Sequence, residues 1–187
     1  MAHPFMHAVA DGLHARRIAT LRYQFPYMEE HSRRPDAAPV CHATVNAAVG
    51  AAHELMPNLP LFAGGKSFGG RMTSQAQAAS ALPHVRGLCF FGFPLHPAKK
   101  PSLTRAEHLS KVTIPMLFLQ GTRDALAEVD LIRSFVEKLD APVSLTLADP
   151  ADHSFHVPKR SGKSDGQILQ ELLDAFALWT QAIMHAA

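Results

Sequence analysis

The sequence predicts an α/β fold, a doubly wound and mostly parallel sheet with helices on both faces. Two observations lead there. Nearly continuous apolar runs at 85–93 (VRGLCFFGF) and 114–120 (IPMLFLQ) suit strands buried on both faces, as in a parallel sheet. Stretches of helical spacing separate successive runs, and a helix between strands imposes parallel pairing through right-handed crossovers. The 187 residues, 47% apolar and 18% charged, match one domain spanning 1–187, with no linker, repeat or low-complexity tract.

Taken in order, Phe5, Met6, Val9 and Leu13 recur at helical spacing, and Arg16 and Arg17 close that helix where cations suit its dipole. Residues 18–25 (IATLRYQF) read as a strand stopped by Pro26, and 27–39 as a polar loop. Val45, Val49, Ala52 and Met56 share one face of a second helix, whose end is bracketed by Pro57 and Pro60. An apolar run at 59–64 enters a glycine cluster, followed by an Ala- and Gln-rich helix at 70–82. Ile132, Phe135, Val136 and Leu139 form a helix between the strand at 114–120 and the alternating strand 143–147 (VSLTL). Leu169, Leu172, Leu173, Phe176, Trp179 and Ile183 make one stripe of a last helix.

The sharpest chemical signal is Gly65-Lys66-Ser67-Phe68-Gly69-Gly70. It follows a buried-type strand and opens a helix, the setting of a G-x-S-x-G nucleophile elbow. Such a turn strains the serine backbone by about 1–3 kcal/mol and raises its hydroxyl clear of the sheet. Glycines at 65 and 69 are expected because side chains there would meet the neighbouring strand or helix. The Phe68 N–H would face a developing oxyanion. Asp124 follows the strand 114–120 and His153 follows the strand 143–147, so both sit at carboxyl ends, where parallel sheets gather functional groups. Ser67 as nucleophile, His153 as base and Asp124 as its orienting acid complete the chemistry. His156, Asp152 and Asp130 are the competing residues. Asp130 falls inside the following helix, whereas Asp124 and His153 come first after their strands. Lys66 and Arg71 flank Ser67 and would attract an anionic acyl group, or else are ordinary surface cations.

The stretches HPFM (3–6), LRYQFPY (21–27), GGKSFGGRM (64–72), GFPLHP (92–97), LFLQGTRD (117–124) and DHSF (152–155) resemble small α/β-hydrolases related to dienelactone hydrolase. They are most similar to bacterial relatives of testis-expressed protein thirty and of the third subunit of the non-specific-lethal complex. The resemblance implies the α/β-hydrolase fold, with Ser67, Asp124 and His153 at the family's triad positions. Dienelactone hydrolase itself uses a cysteine nucleophile, so its lactone chemistry does not transfer to a serine. In that family HPFM follows a central strand and a His-Gly-rich loop carrying the second oxyanion donor. Here Met1-Ala2-His3 precede it, so the sheet is expected to lack N-terminal strands and the chain's start to be internal to a longer reading frame. Without that strand, residues 18–25 and 59–64 would pair directly or leave a row of backbone groups unpaired.

The expected function is that of a serine hydrolase acting on a small ester, thioester or lactone through an acyl-enzyme, with no cofactor. The alternative is a catalytically weak or inactive hydrolase-like module that binds protein partners. A net charge of +2, from 18 Lys+Arg against 16 Asp+Glu, gives no footprint for nucleic acid. No apolar run reaches the roughly 18 residues of a bilayer span, and residues 1–17 lack the apolar core of a signal peptide, so a cytoplasmic location is expected. Homo-oligomerisation is left open. Pro60 stands where a phosphate-binding G-x-x-x-x-G-K-[ST] loop needs glycine. The spacings His3–His7 and His153–His156 lack the acidic or thiolate partners of a metal site. Cys41 and Cys89 form no disulfide framework. The loop with Lys99 and Lys100, leaving the strand end after Phe93, is read as solvated, or else as part of a pocket mouth.

Overall fold

The computed structural model describes residues 3–185, so the ends of the expected 1–187 span lie outside the described residues. Its sheet has four strands in the order β1 (Leu61–Lys66), β2 (Val85–Phe91), β3 (Met116–Gly121) and β4 (Val143–Ala148). All three pairings are parallel, with Leu88 opposite Met116 and Met116 opposite Val143.

Because the strands follow one another in chain order, right-handed crossovers put every connecting helix on the same face. α3 (Ala38–Leu55), α4 (Phe68–Ala79), the short 3-10 turn Glu107–Lys111 and α5 (Val129–Val136) all contribute to that layer. The opposite face is covered by α1 (Pro4–Ala15) and α6 (Asp165–His185), which pack against each other. The two-residue period of the strands divides the apolar runs between these layers. Leu88, Phe90, Met116 and Phe118 pack with Val45, Met72 and Ile132, while Cys89, Phe91, Leu117 and Leu119 pack with Leu13, Leu172 and Phe176. β2 and β3 are therefore apolar on both sides, which is why their runs are unbroken.

One expected strand is absent. Residues 18–25 carry no strand, and the short helix α2 (Pro26–Glu29) interrupts the expected polar loop. A strand needs a neighbouring ladder for its backbone groups. Thr20, Leu21 and Arg22 instead stand off from β1 across a cleft of about 120 Å³ lined by Leu13, Phe62, Gly64 and Phe91. Of the two expected outcomes, the neighbours do not pair directly. The segment is held at its end, where Phe25 is buried and meets the Phe68 ring edge-on at 5.6 Å. Met56, expected on the buried face of α3, is its exposed C-cap residue.

Candidate active site

β1 ends at Lys66, and α4 begins at Phe68, so the whole change of direction falls on Ser67. Its backbone takes φ 49° and ψ −115°, a region that non-glycine residues rarely occupy. Two backbone bonds fix it there: its N–H donates to the Phe91 carbonyl (3.1 Å), and its carbonyl accepts from Arg71 N–H (3.1 Å). The tight turn needs glycine at 65 and 70. A Cβ on Gly70 would lie 2.7 Å from the Gly65 carbonyl oxygen, and one on Gly65 would lie 3.2 Å from Gly69 backbone. Gly69 corrects the sequence expectation, since a Cβ there meets nothing within 4 Å. Helix packing tightens one residue later than the motif suggests.

The sequence-predicted residues converge. His153 Nε2 lies 2.8 Å from Ser67 Oγ, and its Nδ1 lies 2.6 Å from Asp124 Oδ2. With Nδ1–H donating to the carboxylate, Nε2 carries the lone pair that faces the hydroxyl. The Asp124 side chain is fully buried, whereas that of His153 keeps 23% exposure. Asp124 Oδ1 accepts from Leu126 N–H at 2.8 Å. Phe68 is the first residue of α4, where backbone N–H groups have no intrahelical acceptor.

The competitors are committed elsewhere. Asp152 caps its own loop by accepting from Ser154 N–H (2.8 Å) and His156 N–H (3.0 Å). His156 pairs at the surface with Asp165 (2.6 Å), and that bond raises its pKa. Asp130 lies in the first turn of α5.

Three contributors hold positions around the site that the sequence did not assign to them. Gln120, fully buried at the end of β3, donates its amide to Asp124 Oδ2 and accepts from Phe93 N–H at 2.9 Å. A glutamine closing the apolar run MLFLQ was the available clue. Gly92 has φ +68°, and a Cβ there would crowd the His153 carbonyl oxygen at 3.2 Å and ring at 3.4 Å. Lys66 turns away from solvent, its Nζ donating to the His153 carbonyl at 2.7 Å. Burial pushes its pKa down to about 8, with Asp124 and Asp152 opposing.

Lys66 and Arg71 therefore differ from free surface cations. The Arg71 guanidinium lies 5.6 Å from the Phe68 ring centre and is lowered in pKa by burial and then by Arg105. Phe93, Leu95 and His96 are fully buried, so that segment is core rather than an open mouth, while Lys99 and Lys100 are exposed. Among the described residues no three His, Cys, Asp or Glu side chains are grouped to hold a metal ion. No helix among them is long and apolar enough to cross a membrane.

A family model described as an alpha/beta hydrolase domain matches residues 1–181. Solved structures share the fold at low identity. A structure described as an alpha-beta serine hydrolase homologue from Coxiella burnetii superposes with TM-score 0.71 at 20% identity, covering 92% of this chain and 76% of that one. A serine hydrolase without lid from Xanthomonas campestris gives 0.69 at 20% identity, covering 94% and 71%. Est1E from Butyrivibrio proteoclasticus with ferulic acid bound gives 0.70 at 16% identity, covering 97% and 84%.

Proposed function

The chain belongs to the alpha/beta hydrolase domain family, and from that premise we propose that it is a serine hydrolase of small acyl substrates working through Ser67, His153 and Asp124. One observation carries the reading: an unbroken hydrogen-bonded line runs from the Ser67 hydroxyl through both ring nitrogens of His153 to a buried carboxylate. The substrate class is a small ester, thioester or lactone, and residues 1–187 act as one domain.

Ser67 Oγ attacks the carbonyl carbon while its proton passes to His153 Nε2. The carbonyl π pair moves onto oxygen, which faces the free N–H of Phe68. Asp124 stabilises the imidazolium and holds its tautomer. Collapse of the intermediate breaks the bond to the leaving group, which takes the proton from His153 and departs. Water then repeats the sequence against the acyl-serine, His153 again serving as base and then acid, and releases the carboxylic acid with Ser67 restored. The narrower likeness to the dienelactone-hydrolase-like group rests on the motifs at 64–72, 117–124 and 152–155.

The test is a fluorophosphonate probe and a short-chain p-nitrophenyl ester, each run beside Ser67→Ala. Labelling and turnover are expected in the wild type and lost in the variant. Wild-type signals no greater than those of the variant would reject the reading in favour of a non-catalytic, partner-binding module.

A further inference from the structure

His153 sits on a loop that mostly folds on itself, with Phe155 N–H bonded to the Asp152 carbonyl and Asp152 N–H to that of His156. The tie from this loop to the strand bearing the nucleophile comes from Lys66. Its ammonium donates to the His153 carbonyl oxygen at 2.7 Å. The same nitrogen lies 4.7 Å from the centre of the Phe5 ring, on α1, and 5.0 Å from that of Phe155, on the loop. Those two rings stack on each other at 5.6 Å. A single charged group thus gathers β1, α1 and the histidine loop at one point.

We propose that Lys66 is a positioning residue whose ammonium clamps the His153 backbone and so keeps the imidazole aligned between Ser67 and Asp124. The inference rests on the hydrolase reading above and adds a residue to it. Lys66 immediately precedes Ser67, so the clamp spans the two chain segments whose separation sets the Ser67–His153 contact. A charged donor on a carbonyl is stronger than a neutral one, and the ring faces attract only the cation. The neutral amine keeps the weaker donor and loses both aromatic attractions.

The charged groups facing Lys66 are Asp124 from the turn after β3, and Asp152 and His156 from the histidine loop, while α1 presents the Phe5 ring. The two carboxylates hold the charge on, and burial works against it, leaving the pKa near 8. Alignment of His153 is therefore lost as the pH rises through that value.

The test measures kcat and KM of the wild type, Lys66→Met and Lys66→Arg with a neutral p-nitrophenyl ester from about pH 6 to about pH 9.5. Methionine keeps the apolar stem but neither charge nor donor. The wild type should show an alkaline fall in kcat near pH 8. Lys66→Met should lower kcat by about 10- to 100-fold with little change in KM, and abolish the alkaline limb. Lys66→Arg, charged throughout, should recover most of the loss and also lack the limb. A methionine variant with wild-type kcat, or one that retains the limb, overturns the proposal. Absence of wild-type turnover and of Ser67 labelling would instead sink the hydrolase reading. The clamp is then judged by nitrogen-15 ring signals of His153, assigned against His153→Gln. Shifted or broadened signals in Lys66→Met support it, and unchanged signals overturn it.

Discussion

The Gln120 side-chain amide donates to Asp124 Oδ2, the same oxygen that accepts from His153 Nδ1. Gln120 also accepts from the Phe93 N–H, so one buried amide joins β3, the turn after it and the segment after β2. Gln120→Leu strands that buried N–H and takes a donor from a buried carboxylate. The expected cost is about 1–3 kcal/mol in denaturant unfolding, together with a fall of about tenfold or more in kcat/KM as His153 loses its fixed partner. Unchanged kinetics in a folded variant would show that Asp124 needs no such support.

Ser67 holds a backbone conformation that a glycine would adopt without strain. Comparing Ser67→Gly with Ser67→Ala separates backbone strain from loss of the hydroxyl. Both should be inactive, and the glycine variant should be the more stable by about 1 kcal/mol. Equal or reversed stabilities would mean that the elbow stores no strain.

Adjacent glycines at 69 and 70 should respond in opposite directions. Gly70→Ala brings a methyl to 2.7 Å from the Gly65 carbonyl oxygen and 3.1 Å from the Phe90 ring, and should destabilise by about 1–3 kcal/mol while disturbing the turn. Gly69→Ala finds open space inside α4 and should stabilise by about 0.5–1 kcal/mol through helix propensity. Thermal unfolding of the two variants checks this, and a shared sign would contradict the geometry.

His108 lies behind α4, its Nε2 2.8 Å from Ser74 Oγ. The Ser74 hydroxyl donates to the Arg71 carbonyl, so it accepts from Nε2–H of a neutral imidazole. Burial, then Arg71 and His42, push the pKa from 6.5 down to about 4. Between those values the unfolded chain binds the proton and the folded chain does not, so this stabilisation is present above pH 6.5 and is lost as the pH falls to about 4. After a discount for partial exposure the expected loss is about 1–2 kcal/mol. His108→Gln should flatten that part of the stability profile. A variant with the wild-type slope would place the proton elsewhere.

The strands β1–β4 and the five longer helices were legible because hydrophobic period reports which side of an element is covered. The segment 18–25 shows the limit of that signal. Its residues have strand character, yet strand formation depends on a neighbouring ladder, which no property of the segment itself encodes. Ser67, His153 and Asp124 could be brought together in advance because each follows a strand, and parallel strands end on one rim. Gln120 and Lys66 could not, since spacing does not tell where a long polar side chain turns. At Gly69 and Gly70 the motif named a glycine pair, but only the packing of α4 on β1 distinguishes their roles.

The arrangement of layers also sets an order of assembly during synthesis. β1 to β4 leave the ribosome in the sequence in which they pair, and their connecting helices emerge with them, so one side of the sheet can consolidate as it is translated. Its other side waits for α6. Until that helix docks beside α1, the row formed by Cys89, Phe91, Leu117 and Leu119 lacks most of its cover, which leaves the sheet open to chaperone capture or aggregation in the interval before α6 emerges.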